Sequence, residues 1–130
     1  MNSNTKTIIV IICLVLVIII SGLLSLYYLN ISAGRLEKSV GSAGLSVSNE
    51  QWDEAGKQLK DFEQLWDKTK FGWAIMLDHF EIDNIDNSFT EAKKYVESRD
   101  YPSALAELEA LRHYILHIPK RESFSLENIL

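Results

Sequence analysis

Between Ile8 and Leu29 the chain reads IIVIICLVLVIIISGLLSLYYL, with no charged residue. As an α-helix rising about 1.5 Å per residue, this run is about 33 Å long, enough to cross a hydrocarbon core of roughly 30 Å. Its many β-branched residues disfavour a helix in water. In lipid, however, a single segment can satisfy its own backbone only as a helix. A secretory signal has a shorter apolar stretch, about 7–15 residues. The small residues Gly41-Ser42-Ala43 lie too far beyond the run to serve as its cleavage site. The segment therefore reads as an uncleaved anchor, residues 1–30, with residues 31–130 as a domain outside the membrane. Tyr27 and Tyr28 suit the membrane–water boundary. Lys6 before the run nearly balances Arg35 and Lys38 after it. The short polar N-terminal head then favours a C-terminal domain on the extracytoplasmic side.

All 18 acidic residues follow the apolar run, against all but one of the 13 lysines and arginines. A surface of that sign points away from nucleic acid and from attraction to anionic lipid. Cys13, the single cysteine, falls within the run, so the chain has no intramolecular disulfide and no cysteine-based zinc site.

Beyond the anchor the pattern is helical throughout. Leu29, Ala33, Leu36, Val40, Ala43 and Val47 recur in steps of four and three, so the membrane helix is expected to continue out of the bilayer as a heptad stripe. Gly34, Gly41 and Gly44 weaken it, which makes neighbouring helices necessary. Trp52, Ala55, Leu59, Phe62 and Trp66 form a second stripe, expected to end near Lys70 with Gly72 as the break. Phe71, Ile75, Ile82, Ile85, Phe89, Ala92 and Val96 form a third, with Asp78 inside it. Ala104, Leu108, Leu111, Ile115 and Ile118 form a fourth, opened near Pro102 and expected to end at Pro119. Phe124, Leu126, Ile129 and Leu130 supply one more turn to dock on the bundle. No stretch carries a hairpin signal or a strand-length alternation.

A faint internal repeat aligns Val47 with Val96, Trp52 with Tyr101, Ala55 with Ala104, Leu59 with Leu108 and Phe62 with Leu111. Each copy is a helix end, a polar turn, an aromatic residue and an amphipathic helix. The expected fold is all-α: one N-terminal transmembrane helix followed by a small antiparallel bundle of two helical hairpins, tetratricopeptide-like in their grammar.

Several short motifs carry a resemblance. Trp52, Ala55 and Leu59 follow a polar turn. DHFEIDNID supplies an H-x-E-I-D core in His79, Glu81, Ile82 and Asp83. Ala104, Glu107, Leu108 and Leu111 lie in the last helix, and SLENIL closes the chain with Leu126, Asn128 and Ile129 as L-x-N-I. In this order, after an N-terminal anchor, they resemble a family of small membrane-anchored proteins of unknown function from spore-forming Gram-positive bacteria. The resemblance spans nearly the whole chain. It implies a bacterial plasma-membrane location and brings no activity.

The stretch Trp73–Asp86 holds the nearest thing to chemistry. His79, Asp83 and Asp86 share one margin of a helix, a spacing that can hold a divalent ion such as zinc or manganese if another helix adds a ligand. The plainer reading is a polar margin or an ion pair. Asp78 falls on the apolar stripe and is expected to be buried, paired with Lys57 or Lys60 or else protonated. His113 and His117 are four apart but lie opposite Leu108, Leu111 and Ile115, on a solvated face. No nucleophile is paired with an activating base, and no phosphate loop is present, so no cofactor is expected and catalysis has no constellation to rest on. Trp73, Leu77 and Phe80 lie opposite Ile82 and Phe89. This part of the third helix must then be sandwiched, dip toward lipid, or meet a partner. The expected function is a membrane-tethered, non-catalytic helical domain that binds another membrane or envelope protein through Trp73, Leu77 and Phe80. The alternative is a metal-ion or small-ligand sensor built on the Asp78–Asp86 region.

Overall fold

A computed structural model describes residues 1–129, with the backbone alone for Ile129. Leu130, which closes the expected docking turn and the 31–130 domain, lies outside the described residues. Four helices account for nearly all of the chain: α1 (Ser3–Ser48), α2 (Trp52–Met76), α3 (His79–Glu97) and α4 (Tyr101–Ile129). Among the described residues there is no strand.

α1 is one unbroken helix of 46 residues. Among the described residues it is the one helix long and apolar enough to cross a membrane, and no residue of its most apolar part is buried. The heptad stripe takes over at Leu29. From there Ala33, Leu36, Val40, Ala43 and Val47 are all buried. The same rod therefore supplies the apolar extension and the first helix of the bundle, with no joint at residue 30.

Each helix packs on its two neighbours, and α4 returns to pack along α1, so the four close into a ring. A stack of tetratricopeptide hairpins would hold its first and last helices apart. Here the two hairpins, α1–α2 and α3–α4, fold onto each other around one core (Leu36, Phe62, Trp66, Trp73, Ile85 and Ile115 among its largest members). Cross-helix contacts fix the levels. Ser46 meets Gln58 and Trp73 meets Ser32 across α1–α2. Arg112 meets Glu37 across α1–α4, and Trp66 meets Asp86 across α2–α3. At the lower end, Leu126 lies against Gly22, so the end of α4 reaches down alongside the apolar run. Leu126 is half-buried there, as the docking turn requires, while Phe124 is exposed.

The internal repeat proves to be a repeated turn. Gln51 N–H bonds Ser46 O and Glu50 N–H bonds Val47 O; Asp100 N–H bonds Tyr95 O and Arg99 N–H bonds Val96 O. These are two Schellman closures in the same register. Both put the residue after the cap at φ 56°, where glycine is usual; here Glu50 and Arg99 occupy it. An L-residue in that conformation costs roughly 1–2 kcal/mol. Glu50→Gly and Arg99→Gly are each expected to raise stability by about 1 kcal/mol, read as a higher unfolding midpoint at unchanged m-value.

Two expected boundaries move. α2 does not stop near Lys70; it runs to Met76, and Leu77–Asp78 is the break. The reason is that Phe62, Trp66, Thr69 and Trp73 continue the α2 stripe and are all buried, which leaves Phe71 and Ile75 on the outside. Gly72 is no break. It clears room for Tyr28, whose Oη would lie 2.7 Å from a Cβ at that position. Pro119 does not end α4 either. The helix continues past it because Pro119 is itself buried, Arg121 pairs with Glu81, and Leu126 packs on α1. These contacts offset the backbone hydrogen bond that proline removes.

Candidate interaction surfaces

The Trp73–Asp86 stretch is split by the α2–α3 turn, and its side chains divide accordingly. Trp73 closes the α2 core at 0 % exposure. Its Nε1–H donates to Ser32 Oγ at 2.8 Å, and that hydroxyl donates on to Tyr28 O at 2.7 Å. Its ring meets Trp66 edge-on, centroids 5.5 Å apart. Trp73 is thus corrected from contact residue to core, because it lies on the α2 stripe and not on α3. Leu77 is half-buried against the core, and only Phe80 of the expected trio is freely exposed.

Asp78 is corrected as well. It has extended backbone at the N-cap of α3, its side chain makes no capping bond, and it is exposed, with neither Lys57 nor Lys60 as a partner. It leaves the apolar stripe because the helix restarts after it, which resets the register. The buried acid of this segment is instead Glu81, which pairs with Arg121 of α4. The position of Glu81 three residues after Asp78 is the spacing of a capping box, a signal that the sequence reading passed over. Arg121→Met would leave that carboxylate without its partner. The expected cost is about 1–2 kcal/mol, below the roughly 3–5 of a fully buried pair, because Arg121 is half in water and Glu81 lies in the favourable first turn of α3. Guanidinium unfolding of Arg121→Met beside wild type measures it.

The expected ion site is not assembled. Asp86 turns into the α2–α3 seam, accepting from Trp66 Nε1 at 2.7 Å with one oxygen and from Lys70 Nζ with the other. His79 and Asp83 face water without it. Among the described residues no three His, Cys, Asp or Glu side chains are grouped so as to hold a metal ion. His113 and His117 stack on the outer face of α4, rings 5.9 Å apart, as their spacing implies. Beside them, Arg112 donates to Glu37 across the bundle at 2.9 Å. That hydrogen bond and the charge of Glu109 raise the guanidinium's already high pKa further.

The interior polar groups are therefore spent on holding helices together. Ser88 Oγ likewise donates to Glu107 across α3–α4, and among the described residues no buried side-chain nitrogen or oxygen lacks a partner. Outside the core, two features of the surface stand out. At the end nearer the apolar run, Phe71, Ile75, Phe80 and Phe124 are exposed on three different helices. Toward the far end, α2 and α3 part to leave a cleft of about 250 Å³. Leu59, Phe89 and Val96 form its floor, with Gly56, Lys60, Glu63, Lys93 and Glu97 around its mouth. It exists because α2 and α3 make the sparsest contact in the ring and Gly56 offers no side chain to fill the gap; a Cβ there would meet nothing within 4 Å.

A four-helix bundle prolonged by one apolar helix, with every buried side-chain polar atom among the described residues paired, defines an all-α domain. The chain belongs to the DUF4363 family, a domain of unknown function, whose model matches residues 23–129. The matched region opens one residue after Gly22, which lies against Leu126 near the end of α4. No curated protein and no solved structure matches the chain.

Proposed function

We propose that this protein is a membrane-tethered, non-catalytic accessory domain that holds a second membrane or envelope protein beside the bilayer. In this reading α1 spans a bacterial plasma membrane once, and the bundle lies on the extracytoplasmic side. The observation that carries the proposal is the α2–α3 cleft. Its floor is apolar, its mouth carries two lysines and two glutamates, and it lies toward the end of the bundle remote from the apolar run. Interfaces draw most of their energy from a few large side chains seated in such pockets, with charges at the rim setting register. A cleft of this size takes one aliphatic or aromatic side chain of a partner helix. The ring closure leaves no concave face of the tetratricopeptide kind, so the partner docks on the side of the bundle. The Asp78–Asp86 sensor reading has no assembled ligand set to rest on.

The test uses Gly56→Leu, which places an apolar side chain at the mouth of the cleft from a Cβ that meets nothing within 4 Å. A photo-crosslinking residue at Lys93 in the full-length chain, activated in native membranes, is expected to give one discrete adduct. Adding Gly56→Leu should abolish that adduct while the unfolding midpoint stays level or rises. An adduct that survives this substitution would remove this reading, as would the same adduct from a crosslinker at Ser42 on α1.

A further inference from the structure

We infer that the lower end of the bundle rests in the headgroup layer of the bilayer, with Phe124 and Ile75 as its lipid contacts and Phe80 and Phe71 at and above the outer edge of that layer. This rests on α1 being a membrane span. The contacts between helices place these four residues on a common scale along α1. Leu126 lies against Gly22, so Phe124 stands beside Leu24, about two residues up the antiparallel pair. Gly72 abuts Tyr28 and Trp73 bonds Ser32, so Ile75 and Phe71 stand between the levels of about Leu26 and Ser32. Phe80 follows within one turn of the α2–α3 break. All four thus fall within about 12 Å along the axis, at the rise of about 1.5 Å per residue. That band straddles Leu29, where the charge-free run ends.

The exposures of Phe71, Ile75, Phe80 and Phe124 are 76, 72, 71 and 66 %. They come from α2, α3 and α4, so no single helix face gathers them. A protein partner seated on one side of the bundle would not reach all of them, whereas a plane crossing α1 at this height would. Tyr27 and Tyr28, exposed on α1 at the same height, are the residue type that favours such a plane. Among the described residues the other exposed large apolar side chains of the bundle, apart from Ile31 within the band, are Leu45 and Tyr101, at the far end.

The charges set the depth. Glu122, Glu127, Arg121 and Asp78 are at least partly exposed within or below this band, and a carboxylate in the hydrocarbon core is costly. The hydrocarbon boundary therefore lies near Gly22, below the end of the apolar run. A core of roughly 30 Å then reaches back about twenty residues along α1 to its Ser3 end, with Lys6 close enough to extend its ammonium to water. The headgroup layer, about 5–7 Å deep on each side, then takes in the levels of Phe124 and Ile75 and ends just below that of Phe80, with Phe71 above it.

The test places single nitroxide labels on the full-length chain with Cys13→Ser, in vesicles of phosphatidylethanolamine and phosphatidylglycerol. Label positions are Phe80→Cys, Phe124→Cys, Ile18→Cys in the span and Leu45→Cys at the far end. Accessibility to oxygen relative to a nickel chelate reports depth. The expected result is Ile18 deepest, Phe124 intermediate with a ratio several-fold above that of Leu45, Phe80 between Phe124 and Leu45, and Leu45 as in water. Phe80 and Phe124 matching Leu45 while Ile18 stays deep would overturn the seating and leave the span intact. Ile18 reading as water would overturn the span and the seating together. Spin–spin broadening at Phe80 or Phe124 would assign the rim to a second copy, and shielding from both reagents would assign it to another protein. Either result overturns the lipid contact.

Discussion

Trp73→Ala is expected to destabilise the bundle by about 3–5 kcal/mol, the range for removing a fully buried large aromatic side chain. The indole fills the centre of the α1–α2 seam and contacts Trp66, and its N–H is taken up by Ser32. Alanine leaves a cavity between α1 and α2 where the buried indole stood. Trp73→Phe retains most of the volume and loses the hydrogen bond, for an expected cost of about 1 kcal/mol. Phe80→Ala, at an exposed site only seven residues away, should change stability by less than about 0.5 kcal/mol. Guanidinium unfolding of the three variants in one detergent, followed by circular dichroism, measures all of these. Equal effects at Trp73 and Phe80 would place both on the surface and contradict the assignment of Trp73 to the core.

Asp86→Ala is the second large effect, about 2–3 kcal/mol. It removes a charged acceptor from a buried indole N–H and strands Lys70, whereas Asp86→Asn still offers Trp66 an oxygen and should cost about 1 kcal/mol. The same pair of variants separates a structural carboxylate from a ligand. The account expects the alanine–asparagine gap without any added ion. A gap that appears only with zinc or manganese present, together with an ion-dependent rise in the wild-type melting temperature, would make Asp86 a metal ligand instead.

The parts of this fold legible in the sequence are those where one physical demand acts alone. The stripe from Leu29 to Val47 reads directly as a continuation of the apolar helix, because nothing local competes with its heptad spacing. The alignment of Val47–Trp52 with Val96–Tyr101 finds two turns that prove identical in hydrogen bonding, even though neither carries the glycine that would have marked it. His113 and His117 lie outward, as their angle to Leu111 requires.

The misreadings cluster where two demands compete. Gly72 looks like a break, yet there it answers a tertiary need, the space for Tyr28, which no local rule reveals. Moving the break to Leu77–Asp78 transfers Trp73 from α3 to α2 and so from surface to core. It also resets the α3 register, which exposes Asp78 and buries Glu81. One displaced boundary thus inverts the roles of three residues. The Trp66–Thr69–Trp73 spacing was the signal that could have prevented this; a polar threonine in the stripe hid it. Pro119 shows the same competition, since its helix-breaking tendency is local and the contacts of Arg121 and Leu126 that override it are not. The α2–α3 cleft was invisible for a different reason: it arises from what Gly56 lacks and from how loosely two helices meet.

The account depends most on α1 being one rigid rod that carries both the apolar run and the first helix of the bundle. The direct measurement is the distance between nitroxide labels at Ile18→Cys and Leu45→Cys on the same full-length chain, with Cys13→Ser, in lipid vesicles, by double electron–electron resonance. Both positions are exposed and twenty-seven residues apart, so an unbroken helix gives one narrow distribution centred near about 40 Å. A broad distribution, or one centred well below that value, would mean a bend or a flexible joint between anchor and bundle, and would contradict the account.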